Sequence, residues 1–158
     1  MKCNREGAKV AKANAKKGAI MNFYEFRDQD ECKLDNELES LAHSVIGAAI
    51  EVHRHLGPGL PETAYREALC HELDLRGIPH RREVCVDITY KGKAVGKGRI
   101  DVFVGERLIV EIKVVEQLGP IHRAQAISYL KMTQLGLALL INFNVEVLKA
   151  GIKRVINT

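Results

Sequence analysis

From Leu38 onward the apolar positions recur every three to four residues. Leu38, Leu41, Ala42, Val45, Ala49, Val52 and Leu56 fall on one face of a helix. Asn36 and Glu39 have the spacing of a capping box, so the helix is expected to begin at Asn36, and Gly-Pro-Gly at 57–59 ends it. Pro61 suits the first turn of a second helix running to Gly77, with Pro79 as the stop. The period then changes. Val84, Val86, Ile88 and Tyr90 alternate with more polar neighbours, and Lys91-Gly92-Lys93 reads as a hairpin turn into a strand ending at Val104. A second hairpin follows, with Leu108–Val115 as its return arm. A helical stretch from Pro120 to Leu135 closes at Gly136, and Leu137–Asn142 is the kind of apolar run that a sheet buries on both faces. Ile152–Ile156 is expected as a short last strand. This order predicts an α/β domain with a mixed sheet, because a strand arrives through a helical crossover after two hairpins.

With 158 residues, 46% of them hydrophobic, the chain holds one compact domain rather than two. Its net charge of +4 is uneven: residues 1–20 carry six Lys/Arg against Glu6, and residues 21–40 carry seven acidic against two basic side chains. These segments cancel, leaving a mildly basic remainder that permits a polyanionic partner without demanding one. Residues 1–35 read as a flexible extension and 36–158 as the domain. The extension is either a basic arm for nucleic acid or dispensable, even translation begun upstream of a start at Met21.

The run "SVIGAAI" is far shorter than the roughly 20 residues of a membrane span, and no secretory signal precedes it, so no membrane association is expected. Cys3, Cys32, Cys70 and Cys85 lack CxxC or Cys/His zinc spacing, and a domain of this size does not need disulfides. The chain is therefore expected in a reducing cytoplasm. His53 with His55, and Cys70 with His71, are too close in sequence to share a helix face as zinc pairs.

The second hairpin carries charge where a core strand should carry none. If Gly105, Glu106 and Arg107 form a three-residue loop, Val104 pairs with Leu108, Phe103 with Ile109 and Val102 with Val110, setting Asp101 opposite Glu111. Opposed carboxylates destabilise a sheet unless a cation lies between them or one takes up a proton. By the strand period of two, Lys113 shares the face of Glu111. A two-residue turn would instead set Asp101 opposite Val110, and Glu-x-Lys on a strand also occurs as a solvated ladder. On the helices, Glu62 and Tyr65 lie one turn apart, and His122, Gln125 and Tyr129 form a stripe. Arg81, Arg82, Lys91, Lys93, Lys97 and Arg99 make a basic run leading into the hairpin, suited to a nucleic-acid backbone or to a solvated edge.

"GLPETAY", "RID", "EIK" and "HRAQAISYL", closed by "LLINFNVEVLKAGIKRVIN", together resemble the GxxExxY protein family, a branch of the PD-(D/E)XK nuclease superfamily, over roughly residues 38–157. Gly59, Glu62 and Tyr65 stand at the positions that name the family. The resemblance implies a restriction-endonuclease-like core of order αβββαβ and a Mg²⁺-dependent nuclease, with Mn²⁺ as the alternative ion. It implies that Asp101 and Glu111 ligate the metal, with the Ile112 carbonyl as a third ligand, and that Lys113 orients the attacking water. Glu62 would be an accessory acid, and Gln125 with Tyr129 would hold the substrate's phosphate side. The superfamily also contains members that bind without cutting, so the alternative is a non-catalytic module binding nucleic acid or a protein partner. Oligomeric state is not readable from the sequence, and a homo-oligomer stays open.

Overall fold

The computed structural model describes residues 34–157, so the expected extension falls, apart from its last two residues, outside the described residues. Helix α1 (Asn36–Leu56) and helix α2 (Glu62–Leu75) precede strands β1 (His80–Tyr90), β2 (Lys93–Val104) and β3 (Leu108–Lys113). Then come α3 (Pro120–Thr133), β4 (Leu137–Asn142), a single turn α4 (Leu148–Gly151) and β5 (Ile152–Ile156). The five strands form one sheet in the order β1-β2-β3-β4-β5. Only the β3–β4 pair is parallel, as the α3 crossover requires, and the other three pairs are antiparallel.

Both hairpins follow their turn chemistry. Lys91 and Gly92 adopt positive φ, of 47° and 79°, which matches a two-residue connection to the right-handed twist of β1 and β2. Gly105 (φ 57°) and Glu106 (φ 58°) turn β2 into β3, and the register is the expected one: Val104 with Leu108, Phe103 with Ile109, Val102 with Val110. β1 starts three residues earlier than its alternating pattern suggested. α1 starts at Asn36 as expected, but its N-cap is Asp35, whose carboxylate accepts the Leu38 N–H at 2.9 Å. Glu39 is thereby free of the cap and pairs with Arg154 of β5 at 2.8 Å.

Two apolar layers sandwich the sheet. On one face α1 and α2 contribute Ala42, Val45, Ala49, Tyr65, Leu69 and Leu73 against Val102, Val104, Val110, Ile112, Leu139 and Ile141. On the other, Ala126, Tyr129 and Leu130 of α3 cover Ile100, Phe103, Ile109, Ala138 and Leu140. Every residue of β4 is buried, as its unbroken apolar run demands. Cys70 is a buried free thiol. No helix among the described residues is long and apolar enough to cross a membrane.

Candidate active site

The β2–β3 ladder stops short of Asp101 and Glu111: the last paired residues are Val102 and Val110. Beyond them the Asp101 side chain replaces the missing main-chain acceptor, and its Oδ2 takes the Ile112 N–H at 2.9 Å. On the other side of β2 the ladder is also interrupted. Its pairs step from Arg82–Val102 to Val84–Ile100, and Glu83, which would face Asp101, has φ 52°. Positive φ in a non-glycine residue in mid-strand is a strained conformation of the kind that concentrates at functional sites. The pairing of β2 is therefore interrupted on both sides at Asp101, whose carboxylate takes over one of the hydrogen bonds.

Glu111 lies on β3 between Val110 and Ile112, which face α1 and α2, so its side chain projects toward the α3 side. It is only 1% exposed, and Asp101 4%. Burial, then the neighbouring Asp101 charge, pushes the Glu111 carboxyl up to about 8, against the opposing pull of Lys113. The Lys113 ammonium stands 3.6 Å from Glu111 Oε2, while Oε1 is buried with no hydrogen-bond partner. Such an orphaned acceptor is costly unless a proton or a cation completes it.

Glu62 opens α2, where an acid suits the helix dipole, yet it also belongs electrostatically to this group. Its carboxyl is raised by partial burial and then by Asp101, and lowered by Lys113, Arg66 and Arg99. The structure thus brings Glu62, Asp101, Glu111 and Lys113 together. Ile112 joins them through its N–H, on the residue whose carbonyl was expected as a ligand.

The α3 residues behave differently. Tyr129 is largely buried in the α3-side core, and its hydroxyl accepts the Arg99 main-chain N–H at 3.2 Å. Its ring lies so close to Gly98 that a Cβ there would stand 2.5 Å from a ring carbon. Tyr129 therefore seats β2 just before Asp101. Gln125 is half-buried one turn earlier. His122, expected on the same stripe, instead accepts the Gly119 N–H at 2.9 Å through Nδ1 and caps the helix. Tyr65 is also structural: its hydroxyl donates to the Gly57 carbonyl at 2.6 Å, accepts from the Leu60 N–H, and its ring stacks on Phe143. It fixes the Gly57–Leu60 loop and thereby the start of α2, where Glu62 sits.

Arg66, Glu83 and Asn142 were missed in the sequence. Arg66 is 7% exposed and places Nη1 4.0 Å from Asp101 Oδ1 and Nη2 3.5 Å from Glu83 Oε1. The available signal was its helical position: with Tyr65, Leu69 and Leu73 it lies on the stripe of α2 that is otherwise core. Asn142, at the end of β4, accepts the Val115 N–H and donates to the Val115 carbonyl at 2.8 Å, pinning the loop that leaves Lys113. The basic run is largely committed within the protein. Arg81 pairs with Glu106, Arg82 with Glu67, Lys97 with Asp87 and Arg99 with Glu83, while Lys91 lies in the exposed turn and Lys93 just after it.

Two buried carboxylates, one with an orphaned oxygen, are hard oxygen donors suited to a divalent cation. Among the described residues no group of three or more His, Cys, Asp or Glu side chains has a metal-holding arrangement. No curated protein matches the chain, and no solved structure does. Residues 39–155, a span running from the first turn of α1 to β5 and containing every element of the site, match the PD-(D/E)XK nuclease superfamily, whose nucleases usually use divalent metal ions, and the chain belongs to that superfamily.

Proposed function

We propose that the protein is a Mg²⁺-dependent phosphodiester hydrolase acting on nucleic acid. The observation that carries this reading is the buried Asp101–Glu111 pair, with Glu111 Oε1 lacking a partner and Lys113 on the rim. Asp101 and Glu111 would hold the ion, with the Ile112 carbonyl beside them. The bound cation supplies charge neutralisation at the scissile phosphate and a more acidic water. The chain's own residues do the rest. Asp101 is locked by the Ile112 N–H, so one ligand oxygen is oriented before any ion arrives. Lys113, 14% exposed, reaches toward solvent from the buried acid and orients the attacking water while countering charge that develops on the phosphate. Glu62, half-buried on the same rim, is an accessory acid. Gln125 and Tyr129 serve the phosphate side, Tyr129 chiefly by positioning β2. The GxxExxY branch fits the parts that Glu62 and Tyr65 play.

The rival reading is a non-catalytic module that binds nucleic acid or a protein partner, and four of the six cations of the basic hairpin that would carry its interaction are ion-paired within the protein. A cleavage assay on single- and double-stranded DNA and RNA decides between them. Wild type is expected to cut only with Mg²⁺ or Mn²⁺, and Glu111→Gln and Lys113→Ala to lose at least about 100-fold in rate. Cleavage that is metal-independent, or unchanged in both variants, would reject the assignment.

A further inference from the structure

Arg66 is the least expected member of the site. A guanidinium is always charged, so placing one at 7% exposure demands compensation. It sits one helical turn beyond Glu62, and its contacts are with carboxylates: Glu67 at 3.7 Å, Glu83 at 3.5 Å and Asp101 at 4.0 Å. Its Nε is buried without a hydrogen bond. Arg66 is held by surrounding negative charge rather than by close hydrogen bonds, which is how a cation is held in an acidic site.

The two carboxylates of the pair are therefore engaged unequally. Asp101 gives Oδ2 to the Ile112 N–H, and its Oδ1 faces the Arg66 guanidinium. Glu111 gives Oε2 to Lys113, and its Oε1 faces no partner. Glu83, which fixes Arg66 from the far side, also binds Arg99 at 3.0 Å and reaches both from its strained position in β1. Fixed cations thus stand on both flanks, Arg66 beside Asp101 and Lys113 beside Glu111. In two-metal phosphodiesterases a second ion brings positive charge to such a carboxylate, and here the Arg66 guanidinium, 4.0 Å from Asp101 Oδ1, already supplies it.

We infer that Arg66 takes the place of a second metal ion, so that this site binds a single divalent cation, shared by Asp101 and Glu111, and Glu83 is the residue that holds Arg66 in that role. The inference rests on the proposed metal centre and specifies its stoichiometry and the function of two residues outside the metal-ligand set.

Mn²⁺ titration of the full chain, followed by calorimetry and electron paramagnetic resonance, tests it without any activity assay. Wild type is expected to saturate with one ion and an uncoupled spectrum. Arg66→Gln and Arg66→Met, whose folding is checked by thermal unfolding, are expected to take a second ion and to show the spectrum of a coupled pair. Arg66→Lys, which keeps the charge, is expected to stay at one. Two ions in wild type, or one ion in every folded neutral variant, would overturn the inference. If neither neutral variant folds, Glu83→Gln decides: it releases Arg66 toward Asp101 and is expected to weaken the single ion several-fold, and unchanged affinity refutes the role. No ion bound by wild type is a separate failure, that of the metal centre itself.

Discussion

Glu111 is the residue on which burial and chemistry conflict most sharply. Its folded-state carboxyl, near 8, lies above the ordinary carboxylate value of 4.5. Below that ordinary value the group is protonated in both the folded and unfolded chain and costs nothing. Between about 4.5 and 8 the unfolded chain releases the proton while the folded one keeps it, so the unfolded state binds fewer protons and stability falls as pH rises. Above the folded value the full penalty remains. The metal-free protein should therefore lose thermal stability from pH 5 to pH 8, and Glu111→Gln should flatten that slope and raise Tm at pH 8, at roughly 2–4 °C per kcal/mol. Differential scanning calorimetry across the range, in chelator, checks the sign, and a slope unchanged in the variant would relocate the buried titration. Mg²⁺ acts against the same penalty, so its stabilisation should be larger at pH 8 than at pH 5.

At the scale of elements the site depends on how β3 leaves the sheet. Asn142 holds the Val115 N–H and carbonyl and also accepts the Asn144 N–H at 3.2 Å, so it couples the end of β4 to the strand that carries Glu111 and Lys113. Asn142→Ala strips the Val115 N–H of its acceptor and leaves the Val115 carbonyl only the Asn144 side-chain amide at 3.3 Å, and is expected to cost about 1–3 kcal/mol. Because it frees the backbone just after Lys113, cleavage should fall more than the loss of folded protein explains, which urea unfolding and kcat measured together resolve. The same scale shows what the sequence could reveal. The β2–β3 register was legible because a three-residue loop fixes the pairing, and a strand's period of two then carries Glu111 and Lys113 to one face. The basic run was not legible. Arg81 finds Glu106, Arg82 finds Glu67 and Arg99 finds Glu83 at separations of 25, 15 and 16 residues, partners that no local pattern supplies. Arg66 was missed for the same reason: its core-facing position was visible, but Glu83 faces it only once β1 lies beside β2. Asn142 closed a run that read as uniformly apolar, so its polar side chain was overlooked.

At the scale of the whole molecule, the superfamily match and the five-stranded sheet agree on one architecture, in which α2 and α3 flank the strands that carry the acids. The elements expected from periodicity are all present. The departures are at element ends: Asp35 caps α1, β1 starts early, α2, β3 and α3 each stop two residues short of their expected ends, and the single turn α4 is added. Arg154 of β5 and Glu39 of α1, 115 positions apart, meet through two hydrogen bonds, while the Lys91–Gly92 turn lies exposed at the tip of the first hairpin. The order in which the chain threads these elements is consequently separable from the shape they make. A circular permutant that joins residue 157 to residue 34 through a short Gly-Ser linker and opens between Lys91 and Gly92 is expected to unfold as one cooperative unit, with a Tm lowered by only a few degrees. Loss of cooperativity in its thermal melt would mean that the first hairpin must close before the rest can assemble. A single cooperative melt near the parent Tm would mean that, with Glu39 and Arg154 holding the two ends together, the site can be carried by a chain that starts elsewhere.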